Sequence, residues 1–573
     1  SLCEVGVIYS EALHCGNTLD QIYQKLRLLI ITMSLQTARM FFGERQALTI
    51  FIAAITMGLF AVIYLYLQDS YSLIYYGDST SHLFSAKRFV DSVEPGIWQI
   101  GAVWLPLPHL MFLPFTLIEQ LYSNGMAGTI VSLPCHAFSS VLIYKIIRKQ
   151  VDLKYVALLG GFLYASNPNL IYLGITAMTE APFLLFFIAF VYYFQKWNDK
   201  FNESENNLKN LALASFFIVL ATLCKYEAWI LSLAFVPYVI IFVIFKRRNI
   251  TKFTLMVILI SLISLSGILF WLGWNEYRDG DPLAFANLEF YSASSQAGER
   301  PYRDFLYLQP LNVINIYGNA VWMISGPILL SLAAIGFVYN LKDRGWSLRT
   351  KIYGFLVLPP FFTLASLYLG IGEMNEWWYN ARFATFLFPL LVILSSFAIA
   401  KLIPIFRKRR TIIAGIVVSV FAFQLLTSTF GVAWNEETQQ HDIQPYMNSV
   451  VTYIDAQSGW VYKQNPYGIQ AAEFFKSEYD EGQIMIMTGS AQAQRIMQVS
   501  GIPLIKFDEM IEAHSSRPSF AEPWLTHKWL IIGLEPDPDS LDLVNYWKQR
   551  IDQLEQHYSL LYENKYYKIF VLR

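Results

Sequence analysis

The sequence predicts a polytopic α-helical membrane protein, with about 11 transmembrane helices, followed by a C-terminal extracytoplasmic α/β domain. Composition is the first reason: of 573 residues, 55% are hydrophobic and only 15% charged, where a soluble globular chain carries about 25% charge. The second is a recurrence of apolar runs close to the roughly 20 residues that a spanning helix needs. The third is the placement of Lys and Arg between those runs.

The apolar runs fall near 48–67, 125–147, 154–173, 179–195, 209–224, 228–245, 253–274, 320–339, 351–370, 382–401 and 411–431. Lipid offers no partner to an unpaired strand edge, so each run is expected to be a helix. Basic residues cluster in four connections: Lys145, Arg148, Lys149 and Lys154; Lys246, Arg247, Arg248 and Lys252; Lys342, Arg344, Arg349 and Lys351; and Lys401 with Arg407, Lys408, Arg409 and Arg410. With eleven spans, every cluster lies on the side of the amino terminus, and the positive-inside rule makes that side cytoplasmic. Residues 1–47 are then an N-terminal cytoplasmic or interfacial segment. Its LRLLIITM, at 26–33, is too short to span and is expected to lie along the interface, and no ordinary cleavable signal is read there.

Residues 48–431 form the transmembrane domain. The outer side receives the loops 68–124, 275–319 and 371–381 and everything from residue 432 to 573. The first two loops are too long for simple hairpins, and their bulky residues predict short helices packed at the membrane surface. Beyond 431 the pattern changes. IMIMTG at 484–489 and WLIIGL at 529–534 read as buried strands, YYKIFVLR as a closing strand, and PYGIQAAEFFKSEY and AQAQRIMQVSG as helices. MTGSAQAQ lacks the spacing and lysine of a phosphate loop.

The net charge of −1 excludes a generally nucleic-acid-binding surface. The four cysteines have no metal-site spacing, and Cys135 and Cys224 sit in apolar runs as packed thiols.

The polar residues are concentrated on the outer side. YYGDSTSHLFSAKRF, residues 75–89, holds Asp78, His82, Lys87 and Arg88. If it is helical, Asp78 and His82 share a face, and Asp78 either caps the helix or does chemistry. QIGAVWLPLPHLMFLP follows with His109 among restrictive prolines. Asp78, His82 and His109 make a candidate set for a divalent metal if the fold brings them together. In GITAMTEAPFLLF, Thr179 can cap a turn and Glu180 suits the positive end of a helix dipole. In CKYEAW, Lys225 and Glu227 either neutralise each other or face the same recess as Glu180. GEMNEWWYNARFATFLFPL adds Tyr379 within an aromatic belt and Arg382, whose fork of donors suits a phosphate. An arginine near lipid requires an anionic or polar partner. Acids and cations on one side of an apolar body suit a substrate with a charged head and a hydrocarbon tail.

In this order, GDSTSH at 77–82, TEAPF at 179–183, KYEAW at 225–229 and ARFATFLFP at 381–389 resemble recurrent segments of the integral-membrane glycosyltransferases with the GT-C fold. The resemblance covers roughly residues 45–431 and is greatest to the branch related to protein O-mannosyltransferases and lipid A aminoarabinose transferase. It implies a polyprenyl-phosphate-linked sugar donor, a lipid, glycan or protein hydroxyl on the extracytoplasmic side as acceptor, inversion at the sugar, and a multi-pass cell-membrane location. By the same resemblance Asp78 is the base and Arg382 stabilises the departing phosphate, with Lys87 and Arg88 as assistants. Glu180 is a second carboxylate that positions the sugar or a cation, Glu227 a weaker one of that kind, and Tyr379, His82 and His109 are substrate contacts. No cofactor is required, with a divalent metal as the candidate exception. Asp78-Ser79 stands where the mannosyltransferase branch has a neighbouring acidic pair, so sugar and acceptor stay open. Two other functions fit the same charged recess: a lipid or lipid-linked-sugar transporter, and a membrane receptor with an extracytoplasmic binding domain.

Overall fold

Helices occupy every predicted apolar run in the computed structural model. It describes residues 44–99, 103–199, 201, 208–247, 252–287, 305–344, 348–372, 381–406, 409–435, 440–445, 465–488, 490–509, 522–534, 547 and 549–573. In chain order the helices are α1 Arg45–Gln68, α2 Gly77–Arg88, α3 Pro106–Thr116, α4 Glu119–Ser123, α5 Met126–Gln150, α6 Lys154–Ala165, α7 Pro168–Ile175, α8 Glu180–Asp199, α9 Leu208–Thr222, α10 Trp229–Arg247, α11 Lys252–Leu262, α12 Ser266–Asp279, α13 Ala284–Asn287, α14 Pro310–Arg344, α15 Leu348–Tyr368, α16 Phe388–Ile405 and α17 Arg410–Thr429. Among the described residues, six helices are long and apolar enough to cross a bilayer, and a bent pair, α7 with α8, makes a seventh if it is one span. The apolar helices at 154–165, 208–222, 352–368 and 411–427 are shorter. Outward-facing Ile52, Leu59, Phe60 and Ile63 on α1 are exposed, as a lipid-facing surface requires.

The predicted span 154–173 is two helices. Pro168 has no N–H to donate and disfavours helical backbone at the residue before it. Asn167 takes the cap position, its side chain accepting from the backbone N–H groups of Asn169 and Leu170 at 3.0 and 3.2 Å. After α7 the chain turns through residues 176–179 and bends by 111° into α8. The span expected at 382–401 also starts later, because Ala381–Phe386 is a 3₁₀ turn before α16.

Two observations order the two ends of the helical body. At one end Lys149 pairs with Asp199 at 3.0 Å, joining the close of α5 to the close of α8. At the other end lie the start of α8, the start of α2 and the turn before α16. Among the described residues, Cys135 and Cys224 are buried free thiols.

The loop after α1 folds as expected into short helices, α2 to α4. Beyond α17, β1 Phe430–Asn435 pairs antiparallel with β2 Gln440–Pro445. A five-stranded sheet follows, formed by β3 Ile484–Met487, β4 Phe507–Glu509, β5 Trp529–Gly533, β6 Tyr558–Glu563 and β7 Tyr567–Leu572 in the order β4-β3-β5-β7-β6. β3 runs parallel to β4 and β5, while β7 is antiparallel to β5 and β6. Helices α18 Asn465–Glu478, α19 Ser490–Ser500 and α20 Ile551–His557 cover it.

The alternation along these strands sorts their side chains into two cores. Met485, Met487, Leu530, Ile532 and Phe570 pack with Trp547 and Leu554 on one face. Ile484, Ile486, Trp529, Ile531 and Ile569 pack on the other with Phe475 and Met497. That second core runs on into Leu83, Phe84 and Ala86 of α2 and Leu65 of α1, so sheet and first loop share one apolar interior.

Candidate active site

Asp78 lies in the first turn of α2, where the helix dipole favours its charge. It is not the cap: Tyr76 holds that position, without a side-chain cap bond. Instead the Asp78 carboxylate pairs with the Arg382 guanidinium, across 304 positions of sequence. Arg382 comes from the 3₁₀ turn at Ala381–Phe386, and its Nε is 4.0 Å from Glu180 Oε1. Glu180 is fully buried at the start of α8. It meets Lys225 Nζ at 2.9 Å. Two acids and two cations from four separated segments therefore converge. The predicted neutralisation of Glu227 by Lys225 is replaced by this Lys225–Glu180 pair.

The local chain explains each placement. α9 ends at Thr222, and Lys225 has extended backbone that throws its side chain back toward α8. The Leu107 N–H donates to the Leu223 carbonyl at 3.1 Å, and the Tyr226 hydroxyl to the Val103 carbonyl at 2.7 Å, tying this turn to the first loop. Rings take the remaining space around the cations. Lys225 Nζ is 5.5 Å from the ring centres of Phe383 and Phe386, and the Arg382 guanidinium carbon lies 5.0 Å from Phe383 and 5.7 Å from Tyr76. Ser79 fixes α2 against the turn before α8: its hydroxyl donates to the Leu73 carbonyl at 3.0 Å and accepts from the Ala177 N–H at 3.1 Å. Gly128 on α5 admits that turn, since a Cβ there would lie 2.5 Å from Ala177 Cα.

The Asp78 side chain is 36% exposed and that of Arg382 18%, whereas Glu180 is sealed. The recess thus opens beside Asp78 and Arg382. Burial raises the Asp78 pKa, but the Arg382 charge, with Lys225 behind it, holds the carboxyl below its usual range. Burial works against the Arg382 charge too, and Tyr76, Asp78 and Glu180 more than offset it.

His82 shares the Asp78 face, four residues on, and is buried. Its Nδ1 lies 3.0 Å from His109 Nε2, and the Trp104 ring packs 4.4 Å from it, centre to centre. Burial pushes the His82 pKa down to about 3, against the pull of Asp78, and burial with His82 beside it puts His109 well below 6.5. Both rings are neutral, so one proton serves the bond between them. Their facing nitrogens are used on each other, and among the described residues no three His, Cys, Asp or Glu side chains form a ligand cluster. The metal set of Asp78, His82 and His109 does not fit this arrangement.

Lys87 and Arg88 are not brought to the recess. Nine residues of helix turn the side chain by about 900°, which sets Lys87 opposite Asp78. Lys87 Nζ donates to the Thr116 carbonyl at 3.2 Å and meets Glu119 Oε2 at 3.3 Å. Arg88 stacks on Phe84 and faces Met497 and Phe507 in a cleft against the sheet unit. Glu227 is buried near Tyr226 and Tyr317, and the Tyr317 hydroxyl donates to the Phe383 carbonyl at 3.4 Å, one residue from Arg382. Tyr379 lies outside the described residues. Of the two readings the sequence allows for Lys225, a partner for Glu227 or a lining of the Glu180 recess, the structure takes the second.

Residues 108–271 match the family model described as dolichyl-phosphate-mannose-protein mannosyltransferase. That stretch contains His109, Glu180, Lys225 and Glu227. Among solved structures, ArnT from Cupriavidus metallidurans bound to undecaprenyl phosphate superposes with a TM-score of 0.54 at 10% identity, over 91% of this chain and 97% of that one. The apo form of the same protein gives 0.50 at 10% identity, over 86% and 92%. The Archaeoglobus fulgidus oligosaccharyltransferase in its apo form gives 0.47 at 12% identity, over 90% and 72%. No curated protein matches the chain. Over 91% of its length the chain therefore shares the fold of ArnT, and residues 108–271 of it are similar to the mannosyltransferase family model.

Proposed function

We propose that the protein transfers a sugar from a polyprenyl-phosphate donor to a hydroxyl on the extracytoplasmic side, with inversion at the anomeric carbon. The observation that carries this is Arg382 set between Asp78 and Glu180 at an opening of an apolar helical body. A lipid-borne phosphate has the charge and bidentate geometry to compete with Asp78 for the guanidinium. The likeness to a fold neighbour bound to undecaprenyl phosphate supports that class of donor.

The pairing of Asp78 with Arg382 suits a base that is switched on by substrate. While Arg382 holds Asp78, the carboxylate is a weak base. When phosphate takes the guanidinium, Asp78 loses its main stabilising charge and its proton affinity rises. The acceptor oxygen then attacks the anomeric carbon as its proton passes to Asp78. The bond from that carbon to the phosphate oxygen breaks, and the electron pair leaves with the phosphate, where Arg382 stabilises the developing charge. Lys225 balances Glu180, which orients the sugar or supports Arg382. His82 and His109, neutral and bonded to each other, form the wall beside Asp78.

Eleven spans, a cytoplasmic amino terminus and an extracytoplasmic sheet domain over 432–573 complete the reading. Four basic clusters, in the connections that the sequence assigns to the side opposite Asp78, support it. The test is a transfer assay on full-length protein with polyprenyl-phosphate sugars and a panel of lipid, glycan and protein acceptors, read by mass spectrometry. A new glycosidic bond, lost in Asp78→Asn protein that is still folded, supports the proposal. Movement of the intact donor across proteoliposome membranes without a new bond would replace it with transport.

A further inference from the structure

The helix that carries Asp78 has no side-chain cap of its own. Its start is tethered from outside. The Thr80 hydroxyl bonds back to the Ile74 carbonyl at 2.7 Å and that of Ser79 to the Leu73 carbonyl. A third tether comes from more than 400 residues away. Arg495, on α19 of the sheet unit, is 3% exposed. Its Nε donates to the Ile74 carbonyl and its Nη2 to the Tyr75 carbonyl, each at 3.3 Å. These carbonyls lie three and four residues before Asp78. One helical turn along, the Ser81 hydroxyl bonds to Gln494, and Gln498 Nε2 donates to the Tyr122 carbonyl.

We propose that Arg495 is a positioning residue for Asp78: by gripping the two carbonyls ahead of α2, the sheet unit sets where the carboxylate stands against Arg382. This rests on the reading of Asp78 as the base. A planar guanidinium suits the task because its donors are fixed in one fork and can hold two adjacent carbonyls at once. A lysine ammonium is a single point on a flexible stem. Displacement of a reacting group by about 1 Å costs on the order of 100-fold in rate, so a grip on the backbone four residues away is enough to matter.

The experiment compares full-length wild type, Arg495→Met and Arg495→Lys by amide hydrogen exchange and by turnover of one polyprenyl-phosphate sugar, counting release to water as well as transfer. Expected for Arg495→Met is faster exchange in residues 77–84 with β3 and β5 still protected. Its kcat falls about 100-fold and its KM stays within about threefold. Arg495→Lys is expected to lie between, and serves as the variant if Arg495→Met does not fold. Unchanged exchange at 77–84 together with unchanged kcat would overturn the proposal. General loss of protection in the sheet, with kcat and KM moving together, would also overturn it by making Arg495 merely structural. If wild type turns over no such donor, the base reading of Asp78 fails, while the exchange result still decides whether Arg495 holds α2.

Discussion

Lys225 Nζ stands 2.9 Å from Glu180 Oε1, and the Glu180 side chain has no exposed surface. The nearest other cation, Arg382, is 4.0 Å from the same oxygen and engaged with Asp78. Removing one partner of such a pair leaves a buried charge uncompensated, at about 3–5 kcal/mol. Lys225→Met is therefore expected to lower the unfolding temperature in detergent sharply, and Lys225→Met with Glu180→Gln to recover much of the loss. A double variant no more stable than the single one would show that the pair is not the source.

Arg382→Lys keeps the charge and loses the fork. Loss of a preorganised donor to a developing anion costs about 2.7–4 kcal/mol, or roughly 100- to 1,000-fold in kcat. Arg382→Lys is expected to reach the lower end of that range and Arg382→Gln the upper end, with polyprenyl-phosphate binding weakened in both. Steady-state kinetics with a direct binding measurement separates the two effects.

The two histidines give a pH signature. Burial pushes the folded His82 pKa down to about 3, against the usual 6.5 of a free histidine. A depressed histidine contributes stability in full above pH 6.5, and that contribution is lost as pH falls toward 3, because only the unfolded chain takes the proton. At pH 5 a single such group corresponds to about 2 kcal/mol. Wild type is expected to lose apparent stability between pH 6.5 and 4, and His82→Gln to flatten that slope. Asp78, held below the usual carboxylate range, adds to the slope only at the acid end of that window, where the unfolded chain's carboxyl begins to take a proton. Thermal unfolding from pH 4 to pH 8 measures it.

Gly128 fits because it lacks a side chain. A Cβ would lie 2.6 Å from the Ala177 nitrogen as well as close to its Cα, and backbone cannot yield as a flexible side chain does. Gly128→Ala is expected to destabilise by about 1–3 kcal/mol and to lower kcat, because the displaced turn carries Glu180. Gly354, with open space around its Cβ position, is the control for Ala substitution.

Much of this was legible in the residues and some was not, for identifiable reasons. Apolar run length located a helix in each expected run, yet Asn167-Pro168 divided one run that hydropathy reads as continuous. β3 and β5 were legible as short continuous apolar runs, because both are buried on both faces, and β7 as the closing apolar run. Asp78 and Arg382 could be assigned to one side of the body, but their direct contact is a tertiary fact that no spacing contains. The partner of Lys225 stayed open in the sequence, because the acid two residues away competes with the recess of Glu180, and only the fold brings its Nζ to Glu180. Lys87 and Arg88 were within reach of helix arithmetic, which sets Lys87 opposite Asp78. Arg495 sits in an unremarkable amphipathic helix, and only its burial against Ile74 and Tyr75 reveals it.

The most direct measurement is a cryo-electron microscopy structure of the full-length protein with a polyprenyl monophosphate bound. The account predicts phosphate oxygens within hydrogen-bonding distance of the Arg382 guanidinium, the Asp78 carboxylate released toward the acceptor side, and Lys225 still on Glu180. A phosphate bound elsewhere, with the Asp78–Arg382 pair intact, would contradict it.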